Sequence, residues 1–266
     1  MISITQTVPR LSWCDGRTAS DTDTVVSEVP VALVYNGISH VVMMATPADL
    51  EDLARGFSLT ESIIASPREL LDCELQQGEK GLELQMRISG ERFALLKQRR
   101  RNLVGRTGCG LCGVESLEQA MVKVARVNAD YELPHTALQA ALGDLKAMQQ
   151  LKHHSGGVHG AAWCDRAGAI ECLREDVGRH NALDKLLGAL SIGEYSPQGF
   201  VLVTSRASYE MVAKVASCGI PVLAAVSAPT SLAIEQAAQC GLTLVAFVQP
   251  GRQVAYTHTQ RLVGAS

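Results

Sequence analysis

The last third of the chain constrains the fold most. Three apolar runs, "GFVLVTS", "IPVLAAVS" and "LTLVAFVQPG", alternate with two helical stretches, "SYEMVAKVASCG" and "TSLAIEQAAQCG". Near-continuous Val, Leu and Ala strands separated by helices predict parallel βαβ units with both faces of the sheet covered. Gly219 and Gly241 stand where helix C-caps belong. The fold class is therefore α/β.

The first half has another rhythm. "VPVALVYNGISHVVMMAT" places two β-rich runs around Asn36-Gly37, a strong hairpin signal. Thr46-Pro47-Ala48-Asp49 reads as a helix start, with Thr46 as N-cap, and the apolar period continues to about Ile64. "LLDCELQQ" and "GLELQMRIS" predict a second strand pair. "KQRRRNLVGRTGCGLCG" reads as a basic, glycine-rich connector, and "VESLEQAMVKVA" after it as a helix start. A further helix is expected from Thr136 to about Lys152, capped by that threonine. The expected organisation is a smaller α+β domain over 25–105, a Cys-bearing flexible loop and helix over 106–135, and an α/β domain over 136–266.

With 266 residues, 47% of them hydrophobic and 19% charged, the chain is long and apolar enough for a real core. A net charge of -3 gives no global attraction to nucleic acid or anionic membrane, so any anion site is built locally. There is no apolar run of about 18 residues for a transmembrane helix. The start, "MISITQTVPRLSWCDG", lacks the pattern of a secretory signal. The expectation is a cytoplasmic protein with mostly free thiols. Cys14, Cys73, Cys164, Cys172, Cys218 and Cys240 are scattered and read by default as small buried hydrophobes.

Cys109 and Cys112 differ, lying in "RTGCGLCGVES". Structural zinc wants a matching second Cys or His pair, and none is present at suitable spacing. A thioredoxin-like redox site wants this motif where a strand meets a helix in a βαβ unit, not after a basic linker. Two incidental thiols in a glycine loop are a further possibility. The reading that uses every neighbour is a nucleophilic sulfur carrier. Arg99, Arg100, Arg101 and Arg106, with a following helix start, favour a thiolate. Glycines 108, 110 and 113 let the segment move.

"HHSGGVHGAAWCD" places His159 as at a deaminase metal site, yet Gly160 and Ala161 follow where the general acid/base Glu is required. "REDVGRHNALDKLLG" crowds charge before an apolar helix and reads either as capping and ion pairs or as a polar wall of a binding site. "VTSRASYEMV" and "AVSAPTSLAI" each run from a strand through a hydroxyl-rich turn to a helix start. Ser205, Arg206, Ser208, Ser227, Thr230 and Ser231 are thus placed to bind phosphate at strand carboxyl ends. Pro250-Gly251-Arg252 makes a third turn on what reads as the same rim.

Together "RTGCGLCGVESL", "GGVHGAAW", "REDVGRHNALDK", "TSRASYEMVAK", "AVSAPTSLAIEQA" and "GLTLVAFVQPGRQVAYT" resemble the FdhD family of sulfur carriers, sulfurtransferases needed for formate dehydrogenase. The resemblance spans Val29 to Leu262. It implies that a cysteine desulfurase loads persulfide sulfur on Cys109, with Cys112 assisting. It implies transfer to the molybdenum cofactor, bis-molybdopterin guanine dinucleotide, before insertion into formate dehydrogenase. That cofactor is bound as substrate, and no structural metal is expected. The family's cofactor segment falls on Phe247, Val248, Gln249, Pro250, Gly251 and Arg252, to which the residues themselves add Ser205, Arg206 and Ser227. The resemblance further implies a C-terminal cytidine-deaminase-like three-layer domain and a cytoplasmic homodimer without nucleic-acid or membrane partners. A cofactor-binding chaperone that moves no sulfur is the competing function.

Overall fold

The computed structural model describes residues 2–104, 126–129 and 131–264. It opens on a two-stranded antiparallel ribbon, β1 (Thr5–Cys14) and β2 (Arg17–Val26), which the sequence did not signal. The first domain follows: β3 (Val29–Tyr35), β4 (Ile38–Ala45), α1 (Leu50–Thr60), β5 (Leu70–Gln77), β6 (Leu82–Ile88) and α2 (Gly90–Val104). Its sheet order is β4-β3-β6-β5, with only β3 and β6 parallel. Asn36 at φ 47° and Gly37 at φ 80° make the expected tight turn, since both central residues must take positive φ. The core gathers Val31, Leu33, Tyr35, Leu53, Ile64 and Leu84.

The second domain comprises β7 (Leu133–Pro134), α3 (His135–Met148), α4 (Gln150–Ser155), β8 (His159–Asp165), β9 (Ile170–Asp176), α5 (Arg179–Leu190), β10 (Gly199–Val203), α6 (Tyr209–Ser217), β11 (Val222–Ala225), α7 (Ser231–Cys240), β12 (Thr243–Gln249), β13 (Arg252–Ala255) and β14 (Leu262–Val263). Six strands form one sheet in the order β13-β12-β11-β10-β8-β9. β10, β11 and β12 are parallel, as the alternating apolar runs require. One face packs against α5, α6 and α7 through Leu183, Leu187, Met211, Val215 and Ala237. The other packs against α3 through Leu138, Ala141 and Leu145. Val127 and Leu133 already belong to these cores, ahead of the Thr136 start read from sequence. No helix among the described residues is long and apolar enough to cross a membrane.

Local expectations fail where distant partners intervene. Thr46 does not cap α1. Asp49, at φ 51°, holds that position without a side-chain bond. Thr46 is instead drawn to the second domain. Its N–H donates to Asp176 Oδ2 at 3.0 Å and its Oγ1 accepts from the Val177 N–H at 3.2 Å. Helix α1 stops at Thr60, because the N–H groups of Ile63 and Ile64 both turn back to the Ser58 carbonyl and send their side chains into the core. The "KQRRRNLV" stretch continues α2 rather than forming a connector, as good helix formers allow. Pro134, not Thr136, precedes α3. The helix then breaks at Gln149, where Glu175 accepts the N–H groups of Leu151 (2.8 Å) and Lys152 (3.1 Å) and starts α4. The connector residues beyond Val104 and the whole "VESLEQAMVKVA" stretch lie outside the described residues.

The domains meet where α1 crosses α5. A Cβ on Gly56 would lie 1.7 Å from the Asp184 carbonyl oxygen, and one on Gly188 2.0 Å from that of Asp52. Only glycine lets these backbones approach so closely. Beside the crossing, Lys185 and Asp176 are fully buried and paired at 2.6 Å, and Lys185 Nζ also donates to the Thr46 carbonyl at 3.0 Å. On the other side, Lys214 bridges Asp184 (3.0 Å) and Glu61 (2.9 Å), while Thr60 donates to Asp184 at 2.8 Å. Burial works against the Lys214 charge, but Asp184 and Glu61 outweigh it and raise its pKa. The charged residues of "REDVGRHNALDK" therefore largely join the domains.

Gly188→Ala should cost about 3 kcal/mol through backbone overpacking, read from the urea midpoint. Gly143→Ala is the control. Nothing lies within 4 Å of its added Cβ, so it should be neutral or stabilise α3 by up to about 1 kcal/mol.

Candidate functional site

Parallel pairing puts the carboxyl ends of β10, β11 and β12 on one edge of the sheet. The turns that leave these ends are stitched together. The Ser227 N–H donates to the Ser205 carbonyl at 3.4 Å, and the Phe247 N–H to the Ser227 carbonyl at 3.1 Å. Ala207 and Pro229 form a parallel bridge, flanked by Ala207 N–H to Ala228 (3.2 Å) and Thr230 N–H to Ala207 (3.0 Å). The structure thus brings Ser205, Ser227 and Phe247 together.

The side chains differ in availability. Ser205 is buried and its hydroxyl donates to the Arg206 carbonyl at 3.0 Å, so its role is to hold the turn. Arg206 is exposed. Thr230 caps α7 by accepting from the Ala233 N–H at 3.2 Å. Ser208 occupies the N-cap of α6 but makes no capping bond, and its buried Oγ has no hydrogen-bond partner.

The turn after β12 is shaped by a bulge between Ala246 and Gln249, with Phe247 at φ 52°. Gly251, at φ 72°, closes the turn. The Arg252 guanidinium lies 5.6 Å from the centre of the Phe247 ring, a cation–π geometry. Gln139 on α3 grips the turn, accepting from the Gly251 N–H at 2.9 Å and donating to Gln253 at 2.8 Å. Sequence reasoning missed Gln139, for no local pattern links it to a turn more than a hundred residues later. Gln249, Pro250, Gly251 and Arg252 are exposed, whereas the Val248 side chain is fully buried in the core. Val248 can meet a ligand only through its backbone.

His159 begins β8 on this same edge. Its neighbour Gly160 donates its N–H to Thr204 Oγ1 at 2.9 Å and accepts from the Thr204 N–H at 3.0 Å. Ala161 sits in the apolar core where a deaminase would present its Glu nearby. Among the described residues no group of three or more His, Cys, Asp or Glu converges in a way that could hold a metal ion.

Cys109 and Cys112 lie outside the described residues. The chain on either side of them is informative. Arg99 on α2 donates to the Glu61 carbonyl at 3.2 Å, beyond the end of α1. Val127 donates its N–H to the Cys240 carbonyl at 2.7 Å, just before β12 begins. Both flanks belong to the amino-terminal edge of the sheet, opposite the rim. The scattered cysteines are free. Burial pushes the half-buried Cys73 thiol up to about 11 and raises those of Cys164, Cys172 and Cys240, whereas Cys14 and Cys218 are exposed.

Burial lowers the pKa of His159, with Lys152 and Arg179 adding to the shift, and burial likewise lowers that of His180. The unfolded chain then binds more protons than the folded one once pH falls below about 6.5. Stability should drop as pH is lowered through that value and level off beneath the depressed folded pKa. His159→Gln should shrink the difference between urea midpoints at about pH 7.5 and 5.5.

The FdhD/NarQ family model matches residues 26–263. A curated relative named sulfur carrier protein FdhD, from Cupriavidus necator, is 55% identical over 251 residues, covering 94% of this chain and 87% of the relative. A crystal structure described as a formate dehydrogenase accessory protein from Desulfotalea psychrophila superposes with a TM-score of 0.75 at 24% identity. It covers 98% of this chain and all of that one, and so bears on the fold. With the match running through both domains and across the glycine crossing that joins them, the chain belongs to the FdhD/NarQ family.

Proposed function

We propose that this protein is a sulfur carrier that takes persulfide sulfur from a cysteine desulfurase and delivers it to the molybdenum cofactor destined for formate dehydrogenase. The observation that carries the reading is the 55% identity to a protein named sulfur carrier protein FdhD, across nearly the whole chain. The thiol chemistry supports it. Four of the six described cysteines are held by burial towards the unreactive protonated form, and Cys109 and Cys112 are the only two of the chain's thiols set as a Cys-x-x-Cys pair.

In this mechanism the Cys109 thiolate attacks the outer sulfur of the donor's persulfide. A new S–S bond forms on Cys109, and the donor thiolate leaves. Bis-molybdopterin guanine dinucleotide, the substrate, docks by a nucleotide end on the rim near Arg206, Ser227, Phe247 and Arg252. Arg252 supplies charge to phosphate, and the ring beneath it offers a stacking face. Cys112 then attacks the inner sulfur of Cys109, forming the Cys109–Cys112 disulfide. The terminal sulfur leaves with its electron pair as sulfide for the metal, and a cellular thiol reductant restores both thiols. Cys109 lies five residues beyond Val104, a tether of at most about 18 Å when extended, so the end of α2 sets how far this thiol travels. The same reading holds the protein to be a cytoplasmic homodimer. It also treats the second domain as a deaminase-like layer arrangement that kept His159 and lost the Glu.

Intact-mass measurement after incubation with a cysteine desulfurase and cysteine should show a gain of one sulfur that dithiothreitol removes. The gain should vanish in Cys109→Ala and persist in Cys112→Ala. An unchanged gain in Cys109→Ala would sink the assignment. Guanosine diphosphate titrated onto Arg252→Ala should bind about 10-fold more weakly than to wild type, about 1.4 kcal/mol. Rim variants that abolish formate dehydrogenase activation while Cys109→Ala preserves it would favour a chaperone.

A further inference from the structure

A second cavity lies between the domains, at the amino-terminal edge of the sheet and away from the rim. Its volume is 670 Å³, within the range of small-molecule sites. Leu59 and Ile64 from the first domain face Leu187, Leu190 and Ile220 from the second. Such walls suit an apolar body.

Two polar features interrupt them. Trp163 on β8 lines the cavity with its ring and is only 6% exposed, and its Nε1–H, with no hydrogen-bond partner, is itself shielded within the wall. A buried indole N–H ordinarily finds an acceptor. The other feature is charge. Arg92 and Arg99 line the cavity, and no Asp or Glu does so among the described residues. Arg92 is paired with Glu69 at 2.9 Å. The described partner of Arg99 is a carbonyl, that of Glu61, which leaves its positive charge uncompensated by a described carboxylate. The Ser191 and Ser217 hydroxyls already donate to the Gly188 and Lys214 carbonyls, so they do not compete for an anion.

We propose that this cavity is a binding site for a small amphiphilic anion: a flat or branched apolar body carrying one carboxylate, sulfonate or phosphate. The body fills the aliphatic walls against the Trp163 ring, and the anionic group faces Arg99. A ligand seated there touches both domains and the helix that leads towards Cys109. The site is separate from the sulfur-transfer rim and does not depend on it.

The chain has two tryptophans, Trp13 and Trp163, so Trp13→Phe leaves a single indole N–H resonance. The full-length variant would be titrated with 1-anilinonaphthalene-8-sulfonate and, separately, with its uncharged analogue N-phenyl-1-naphthylamine. The expected result is saturable one-to-one binding of the sulfonate with a shift of the Trp163 indole resonance. The uncharged probe should bind at least fivefold more weakly. Adding the exposed change Arg99→Ala should weaken the sulfonate at least fivefold and leave the uncharged probe unaffected. A Trp163 resonance that stays in place at saturation would overturn the site. Equal affinity for both probes, or indifference of the sulfonate to Arg99→Ala, would overturn the ligand class.

Discussion

The close approach of α1 and α5 at Gly56 and Gly188 is the constraint on which the rest depends. Each glycine faces the other helix's backbone, so the two domains are set by main chain against main chain. Side chains can trade volume with their neighbours, and carbonyl groups cannot. The contact leaves Lys185, Asp176 and Asp184 beside it with no access to water. Each finds a partner across or along the junction. A buried pair of this kind adds little net stability over an apolar replacement, but it tolerates no slippage. Thr46, held through its N–H, carbonyl and hydroxyl, fixes the register of the junction.

That junction also sorts the chemistry onto two edges. Parallel strands are polar objects: their carboxyl ends gather turns and helix starts, and their amino ends gather helix finishes. The residues proposed to meet an anion, Arg206, Ser227, the α6 start and Arg252, fall on the first edge. The flanks of the segment with Cys109 and Cys112 fall on the second, with Arg99 and Val127 marking them. On the proposed function, loading near the amino-terminal edge and docking at the rim would be separate in space, so a donor could approach while the rim is occupied.

How much was legible beforehand depended on the range of the deciding interaction. The β10–β12 strands, the Asn36-Gly37 hairpin and the glycines after α6 and α7 are decided within a dozen residues, so period and turn chemistry reveal them. Thr46, Glu175 and Gln139 are decided by partners 26 to 130 residues away. A threonine before a proline looks like a cap until an aspartate from another domain claims it. The "REDVGRHNALDK" cluster was visible as unusual, but both of its readings required knowing what lay opposite. Gly56 gave no signal, since a glycine in a helical period reads only as a weak point. The β1–β2 ribbon was silent for a different reason: its residues alternate without a buried face, so periodicity had nothing to report.

Phe247 shows how the rim and the fold are tied. A non-glycine residue at φ 52° is strained by about 1–2 kcal/mol, and a phenylalanine gains nothing locally from that conformation. The strain persists because neighbours on both sides are fixed. Val248 is anchored in the core, and Gln139 holds the turn through Gly251 and Gln253. Between these anchors the chain has one residue too many for a regular ladder, and the bulge absorbs it. The consequence is that the ring sits half-buried against the edge of the core, beneath Arg252 at the rim. Relaxing the bulge would return Phe247 to the sheet and take the stacking face away from the cation. The stability lost there is small beside the junction's, and it sits where a flat, charged ligand would need a preformed platform.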